Sequence, residues 1–224
     1  MEGNALENQF DLGREYLKLF AIITMTIDHI GAFLYPEYSV LRIIGRIAFP
    51  IFAYLLILGI ENTRNKRNYF LRLIAFAAIS QIPYFLVQGN EPFELLNIFF
   101  TLSFGVMFLM NSLSLLPFLL VSMFVNFDFG LYGIVLIACL RLLRERTAFG
   151  ILAYVAYSII TLAISPIQSF QLLALPFILL HHTGYLKRTR TVVRKNAYPI
   201  WRKYFFYLFY PLHLTILYFI RVGQ

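Results

Sequence analysis

The stretch YLKLFAIITMTIDHIGAFLYPEYSVLRIIGRIAFP, Tyr16 to Pro50, decides how this chain is read. It holds two apolar runs, Leu17–Tyr35 and Arg42–Ile60, each near the ~20 residues that a helix needs to cross a bilayer. The first run nevertheless carries Asp28 and His29 side by side, and the second carries Arg46 four residues before Pro50. A single Asp or Arg near the centre of a membrane helix costs about 2.5–3.5 kcal/mol on insertion scales, so three ionisable groups at that depth require a reason. If helix 1 enters from the cytoplasm, Asp28 lies about seven residues (~10 Å) from its outer end, and Arg46 about four residues (~6 Å) into the returning helix 2. The two charges then meet at similar depth, and an Asp28–Arg46 pair is expected. His29 points ~100° away from Asp28 around the helix and is left to face something else. Pro50 has no N–H for the carbonyl of Arg46 and is expected to kink helix 2 there.

Working outward, the composition agrees with this reading. Hydrophobic residues make up 60% of the 224-residue chain and charged residues 13%, with mean hydropathy +0.72. Soluble domains carry about 25% charged residues, so an integral membrane protein is expected, all-α because long apolar runs rather than strand-like alternation dominate. The net charge of +8 is not a nucleic-acid signature, since the basic residues collect in short loops between apolar runs. Met1–Glu15 is polar and acidic and does not resemble a signal peptide. The single cysteine, Cys139, excludes an internal disulfide and reads as a packing thiol. No metal site is expected, and His181 and His182, at a helix end beside a basic loop, read as interfacial.

With basic loops inside, the chain reads as one domain, 1–224, a polytopic transmembrane bundle of about nine helices (eight to ten) with a cytoplasmic N-terminus in a bacterial-type inner membrane. After helices 1 and 2, helices are expected near 69–87, 97–110, 113–125, 131–143, 149–164, 170–182 and 204–220. The clusters Arg64–Arg72, Arg141–Arg146 and Lys187–Lys203 fall inside, whereas 88–94 has Glu91 and Glu94 but no Lys or Arg. The short helices near 97–143 leave re-entrant segments open as an alternative.

Polar residues gather toward the outer ends of several helices: Ser80, Gln81, Asn97, Thr101, Tyr132, Gln168, Gln171 and His213. They share a level with Asp28, His29 and Arg46. Such a ring reads either as the lining of a water-filled or substrate-filled cavity, with Gln81, Asn97, Thr101 and Tyr132 as substrate-binding candidates, or as hydrogen-bonding glue between helices at roughly 0.6 kcal/mol each.

The runs Met25-Thr26-Ile27-Asp28-His29-Ile30-Gly31, Ile44-Gly45-Arg46-Ile47-Ala48-Phe49-Pro50, Asn62-Thr63-Arg64-Asn65, Ser80-Gln81-Ile82-Pro83, Asn97-Ile98-Phe99-Phe100-Thr101-Leu102, Asp128-Phe129-Gly130-Leu131-Tyr132-Gly133 and Tyr207-Leu208-Phe209-Tyr210-Pro211-Leu212-His213 occur in this order. Together they resemble the TraX family, named for the conjugative pilin acetylase and akin to multi-helix membrane acyltransferases. The resemblance implies transfer of an acetyl group from acetyl-CoA to the N-terminal amine of a pilin-like peptide or another surface acceptor such as a glycan. It makes Asp28, His29, Arg46 and His213 the expected catalytic core. His29 would act as general base, Arg46 would steady the oxyanion or the acyl carbonyl, and Asp28 would fix Arg46 or orient His29. His213 would position the acceptor or share proton transfer. Arg64, Arg67, Lys187 and Arg188 are the candidates for the CoA phosphates, and membrane lipids are further expected partners. A cytoplasmic donor and an outer-half centre would require a tunnel open to the basic side. A proton-coupled transporter and a non-enzymatic membrane assembly factor are the rival readings.

Overall fold

The first long helix starts where Asp11 caps it, its Oδ1 accepting from the Arg14 N–H at 3.0 Å, the arrangement that satisfies an orphan donor of the first turn. A computed structural model describes residues 9–89, 91, 93–185, 191–192 and 200–224, and the helices below belong to these described residues. Helix α1 (Leu12–Phe33) is followed by a turn containing Pro36 and then by α2 (Ser39–Gly45) and α3 (Ala48–Asn62). The break between α2 and α3 falls at Arg46–Ile47 because Pro50, in the first turn of α3, cannot donate to the Arg46 carbonyl. Next come α4 (Lys66–Gln88), capped by Asn65 and ended by Gly89 at φ +76, and α5 (Ile98–Met110), capped by Asn97. The chain continues with α6 (Leu115–Ser122), α7 (Gly130–Glu145), α8 (Thr147–Ile164), α9 (Pro166–Ser169), a 3-10 turn at Phe170–Ala174, α10 (Leu175–His182) and α11 (Ile200–Val222).

The fold is all-α. Its two-residue strand pairs serve as clips: Leu95–Leu96 runs parallel to Asn126–Phe127, tying the entries of α5 and α7, and Gln9–Phe10 pairs antiparallel with Thr191–Val192. Five stretches, Leu12–Phe33, Ser39–Asn62, Lys66–Gln88, Thr147–Ile164 and Tyr204–Val222, are long and apolar enough to cross a membrane. Of the nine expected crossings, the fifth is the main correction. α6 has eight residues, about 12 Å, and cannot span a hydrocarbon core of about 30 Å. Its apolar run is interrupted at Asn111–Ser114 and again after Ser122, where the chain turns into the clip with Leu95–Leu96. The expected eighth helix likewise begins only at Leu175, after the 3-10 turn.

The Ser39–Asn62 stretch lies at the centre of the bundle. It is 78% buried, whereas the other four long stretches are 28–39% buried, and a helix apolar all round belongs in an interior. Around it the other helices turn apolar residues outward, among them Ile23 on α1, Ile79 and Ile82 on α4, Ile159 and Ile160 on α8, and Ile216 and Phe219 on α11. Small residues set the closest crossings. A Cβ on Gly45 would overlap the side chain of Asp28, and one on Gly150 would overlap the backbone of Leu143, so α2 packs directly on the Asp28 side chain and α8 directly on the backbone of α7.

Candidate functional site

Asp28 on α1 and Arg46 at the α2–α3 break form the pair expected from their depth. Arg46 Nη2 lies 2.5 Å from Asp28 Oδ1 and 2.6 Å from Oδ2. The sequence reading missed a second guanidinium. Arg42, one turn before Arg46, donates from Nη1 to Asp28 Oδ2 at 2.6 Å and to the Asp28 carbonyl at 3.0 Å. The spacing of four residues in Arg42–Arg46 was the available signal. Arg46 also donates to Gln168 Oε1 at 2.7 Å, so all three of its nitrogens are engaged once Nε is counted with the Arg42 carbonyl at 3.3 Å. Its guanidinium stands 5.5 Å from the centre of the Phe129 ring.

His29 faces His213. The His29 Nδ1 to His213 Nε2 distance is 2.6 Å and the ring planes differ by 6°, with centroids 4.9 Å apart. The centroid separation exceeds the nitrogen separation by about two ring radii, so the rings meet edge to edge in one plane, as a linear N–H···N bond needs. The proton positions follow from the partners. His213 Nδ1 lies 2.8 Å from the carbonyl oxygen of Phe209, which can only accept, so His213 carries its proton on Nδ1. Its Nε2 is then an acceptor, His29 donates to it from Nδ1, and the lone pair of a neutral His29 sits on Nε2. His29 thus presents a base, oriented by a second imidazole that is anchored to its own helix.

His29 belongs to the walls of two cavities. The larger, of about 730 Å³, runs past one face of α1, along Arg14, Lys18, Ile22, Met25 and His29, a 4-4-3-4 spacing that keeps the side chains on one side of a helix. Its polar mouth is formed by Asp11, Arg14, Glu15, Lys18, Asn62 and Arg72, its throat by apolar side chains including Phe52, Leu56 and Leu102, and its far end by Asp28, His29 and Asp128. From Arg14 to His29 is fifteen residues, about 22 Å. The smaller cavity, of about 350 Å³, opens at the opposite ends of these helices and is lined by Phe33, Pro36, Arg42, Arg46, Tyr84 and Gln88. Asp28, His29, Asp128 and Phe129 line both.

Asp128 is the second residue that sequence reading passed over as a site candidate. It lies just before α7, where Phe129 takes φ +61, and the clip between Asn126–Phe127 and Leu95–Leu96 carries it back into the bundle. Thr101 donates to its backbone carbonyl. Among the described residues no ion pair to its carboxylate is formed. Burial pushes that carboxyl up to about 6, with Arg46 pulling the other way. The only signal in the sequence was its place in the Asp128-Phe129-Gly130 run.

The remaining candidates lie elsewhere. Gln81 and Asn97 bond each other, Asn97 Nδ2 to Gln81 Oε1 at 2.8 Å, and reach the backbone of Leu95 and Ala77, so they brace the start of α5 and line neither cavity. Thr101 is spent on Asp128. The Tyr132 side chain is 41% exposed on the outside of α7. Arg64, on the α3–α4 turn, and Arg67, in the first turn of α4, are exposed and border neither cavity; Arg14 and Arg72 line the larger one instead. Lys187 and Arg188 lie outside the described residues. His181, read as interfacial, is 1% exposed and sits between the Tyr54 hydroxyl at 3.0 Å and Asp11 Oδ2 at 3.1 Å. His182 touches Arg144 and Thr147 at the surface. Cys139 is buried among apolar side chains.

The fold and the site define a class: a helical protein rich in apolar spans, with a buried acid–guanidinium–imidazole centre where two cavities meet. The chain belongs to the TraX protein family, whose model matches residues 13–221. It is similar to the "Probable fimbrial assembly protein FimC, serogroup H1" of Dichelobacter nodosus, 26% identical over 238 residues, covering 95% of this chain and 97% of that one. It is also similar to "Uncharacterized protein RP591" of Rickettsia prowazekii (strain Madrid E), 58% identical over 41 residues, which cover 18% of this chain and 16% of that protein. No solved structure matches.

Proposed function

We propose that this protein is a polytopic inner-membrane acetyltransferase that moves an acetyl group from acetyl-CoA to an acceptor presented on the opposite side of the bundle. The observation that carries the reading is the pair of cavities meeting at His29. The larger begins at a charged mouth, where Arg14, Lys18 and Arg72 stand beside Asp11 and Glu15, on the side where the positive-inside pattern puts the cytoplasm, and it reaches the imidazole through an apolar throat. That form suits a thioester on a long uncharged arm with a charged head. The smaller cavity approaches the same imidazole from the other end. On this reading a donor and an acceptor reach one base without sharing an entrance, the cytoplasmic donor through the larger cavity and the acceptor through the smaller.

In this mechanism the acceptor amine or hydroxyl enters from the smaller cavity and attacks the acetyl carbon. His29 Nε2 takes the proton, and the imidazolium is held by the bond to His213, which the Phe209 carbonyl orients. The carbon–sulfur bond breaks, and the leaving thiolate receives the proton from His29, so the base is restored. The Arg42 and Arg46 guanidinia, fixed by Asp28, supply preorganised positive charge beside the reacting atoms. Membership in the TraX family and likeness to a fimbrial assembly protein support a pilin-like peptide as the acceptor, with a surface glycan as the other candidate.

The test is acetyl transfer from radiolabelled acetyl-CoA by protein in lipid nanodiscs, to peptides and glycans from the surface fraction. His29→Ala should lower transfer by about 10²–10⁴-fold, the range for loss of a general base, while the protein remains inserted. Full activity in that variant refutes the mechanism. Solute uptake by proteoliposomes without acetyl-CoA turnover would favour a transporter instead.

A further inference from the structure

At the mouth of the larger cavity stand two guanidinium groups, Arg14 and Arg72, beside two acids that have other partners: Glu15 bonds Lys18, and Asp11 bonds His181. Arg14 comes from the first turn of α1 and Arg72 from the second turn of α4. Both line the cavity, and in both the Nε is buried with no hydrogen-bond partner among the described residues. Among those residues neither forms an ion pair with a carboxylate. Their charges act on the same two phenols, Tyr69 and Tyr207, which also line the mouth, and the Arg72 guanidinium lies 5.6 Å from the centre of the Tyr69 ring. Orphaned buried donors cost free energy, and two guanidinium groups on one partly enclosed space are relieved by a single kind of ligand, an anion with several acceptor oxygens.

The geometry points to Arg14 and Arg72 as a phosphate clamp that holds the diphosphate of an acyl-CoA donor at the cavity mouth, with Tyr69 and Tyr207 as its floor. The assignment rests on the acyl-transfer reading above and replaces Arg64 and Arg67 as the residues nearest the donor phosphates. The throat beyond the clamp is apolar for most of the ~22 Å to His29, which fits the uncharged arm that follows the phosphate in CoA. Guanidinium suits the task because its fork bonds two phosphate oxygens at once.

Binding can be measured without turnover, by calorimetry on the full-length protein in phosphatidylcholine nanodiscs, with CoA, phosphopantetheine and pantetheine as probes. Arg14→Gln and Arg72→Gln should each weaken CoA and phosphopantetheine about 10- to 100-fold, the worth of one charge-assisted contact. Competition by pantetheine, which has no phosphate, should be unchanged. The Lys variants should fall between wild type and Gln, and the thermal midpoints of the Gln variants should not drop, since no acid partner is stranded. Equal loss for pantetheine, or undiminished CoA binding in both variants, overturns the clamp. Loss of phosphatidylglycerol binding in the Gln variants, titrated in nanodiscs of phosphatidylcholine mixed with phosphatidylglycerol, with CoA binding intact would give the pair to a lipid headgroup and also overturns it. Failure of the wild type to bind CoA at all would defeat the acyl-transfer reading itself.

Discussion

Replacing Asp28 with Asn tests whether the charged centre is one coupled unit. In the native arrangement one carboxylate, its side chain 12% exposed, serves Arg46 at 9% and Arg42 at 30% exposure. Asn keeps the shape and removes the charge, so two guanidinia are left with no carboxylate in contact among the described residues. Stranding a buried partner costs about 3–5 kcal/mol. Arg46→Gln is the milder change, because Asp28 retains Arg42; the loss is that of charge-assisted hydrogen bonds, about 1.5–3 kcal/mol. In the double variant only Arg42 remains charged, and it borders the smaller cavity, where its head can turn toward water. The double variant should therefore cost less than the sum of the singles, with a coupling of about 2–3 kcal/mol. The measurement is SDS-induced unfolding of the detergent-solubilised protein, followed by circular dichroism. Additivity within about 0.5 kcal/mol would refute the account, because it would mean that Asp28 and Arg46 are stabilised by different surroundings.

Other consequences follow from the same geometry. His213→Phe keeps a ring but deletes the acceptor for His29 Nδ1; acetyl transfer should fall at least about 10²-fold with a displaced pH–rate profile, and an unchanged profile would leave His213 as mere packing. Gly45→Ala forces a methyl into the Asp28 side chain and should destabilise by about 1–3 kcal/mol, read as a lowered unfolding midpoint. Because Cys139 is the single cysteine, Met25→Cys in a Cys139→Ala background gives one thiol in the throat; a thiol reagent applied from the basic side should reach it, and CoA should protect it. Equal labelling with and without CoA would argue that the donor does not use this cavity. Asp128→Asn should leave CoA binding intact while raising KM for an amine acceptor, measured by transfer to a peptide series.

Much of the fold was legible because its causes are local or additive. Apolar runs of helical length, the break imposed by Pro50 and the charge of the loops can be read residue by residue, and the common depth of Asp28 and Arg46 follows from counting turns. The short α6 was misjudged because hydropathy reports what a segment tolerates rather than how far it runs. The site was legible only in part. Gln81 and Asn97 have the composition of ligand-binding residues, but an amide can spend its hydrogen bonds on a backbone as readily as on a substrate, and here they brace α5. The His29–His213 bond joins residues 184 positions apart, and Arg14 and Arg72 line one cavity mouth from separate helices. Sequence determined an all-helical chain rich in apolar spans, the pairing of Asp28 with Arg46 and the need for a reason to bury them. Which imidazole meets which, where the empty space runs and which guanidinium donors are buried without a hydrogen bond among the described residues were decided by tertiary packing, since those properties depend on the relative rotation of helices, and a helix's own residues say which faces it has but not what each will touch.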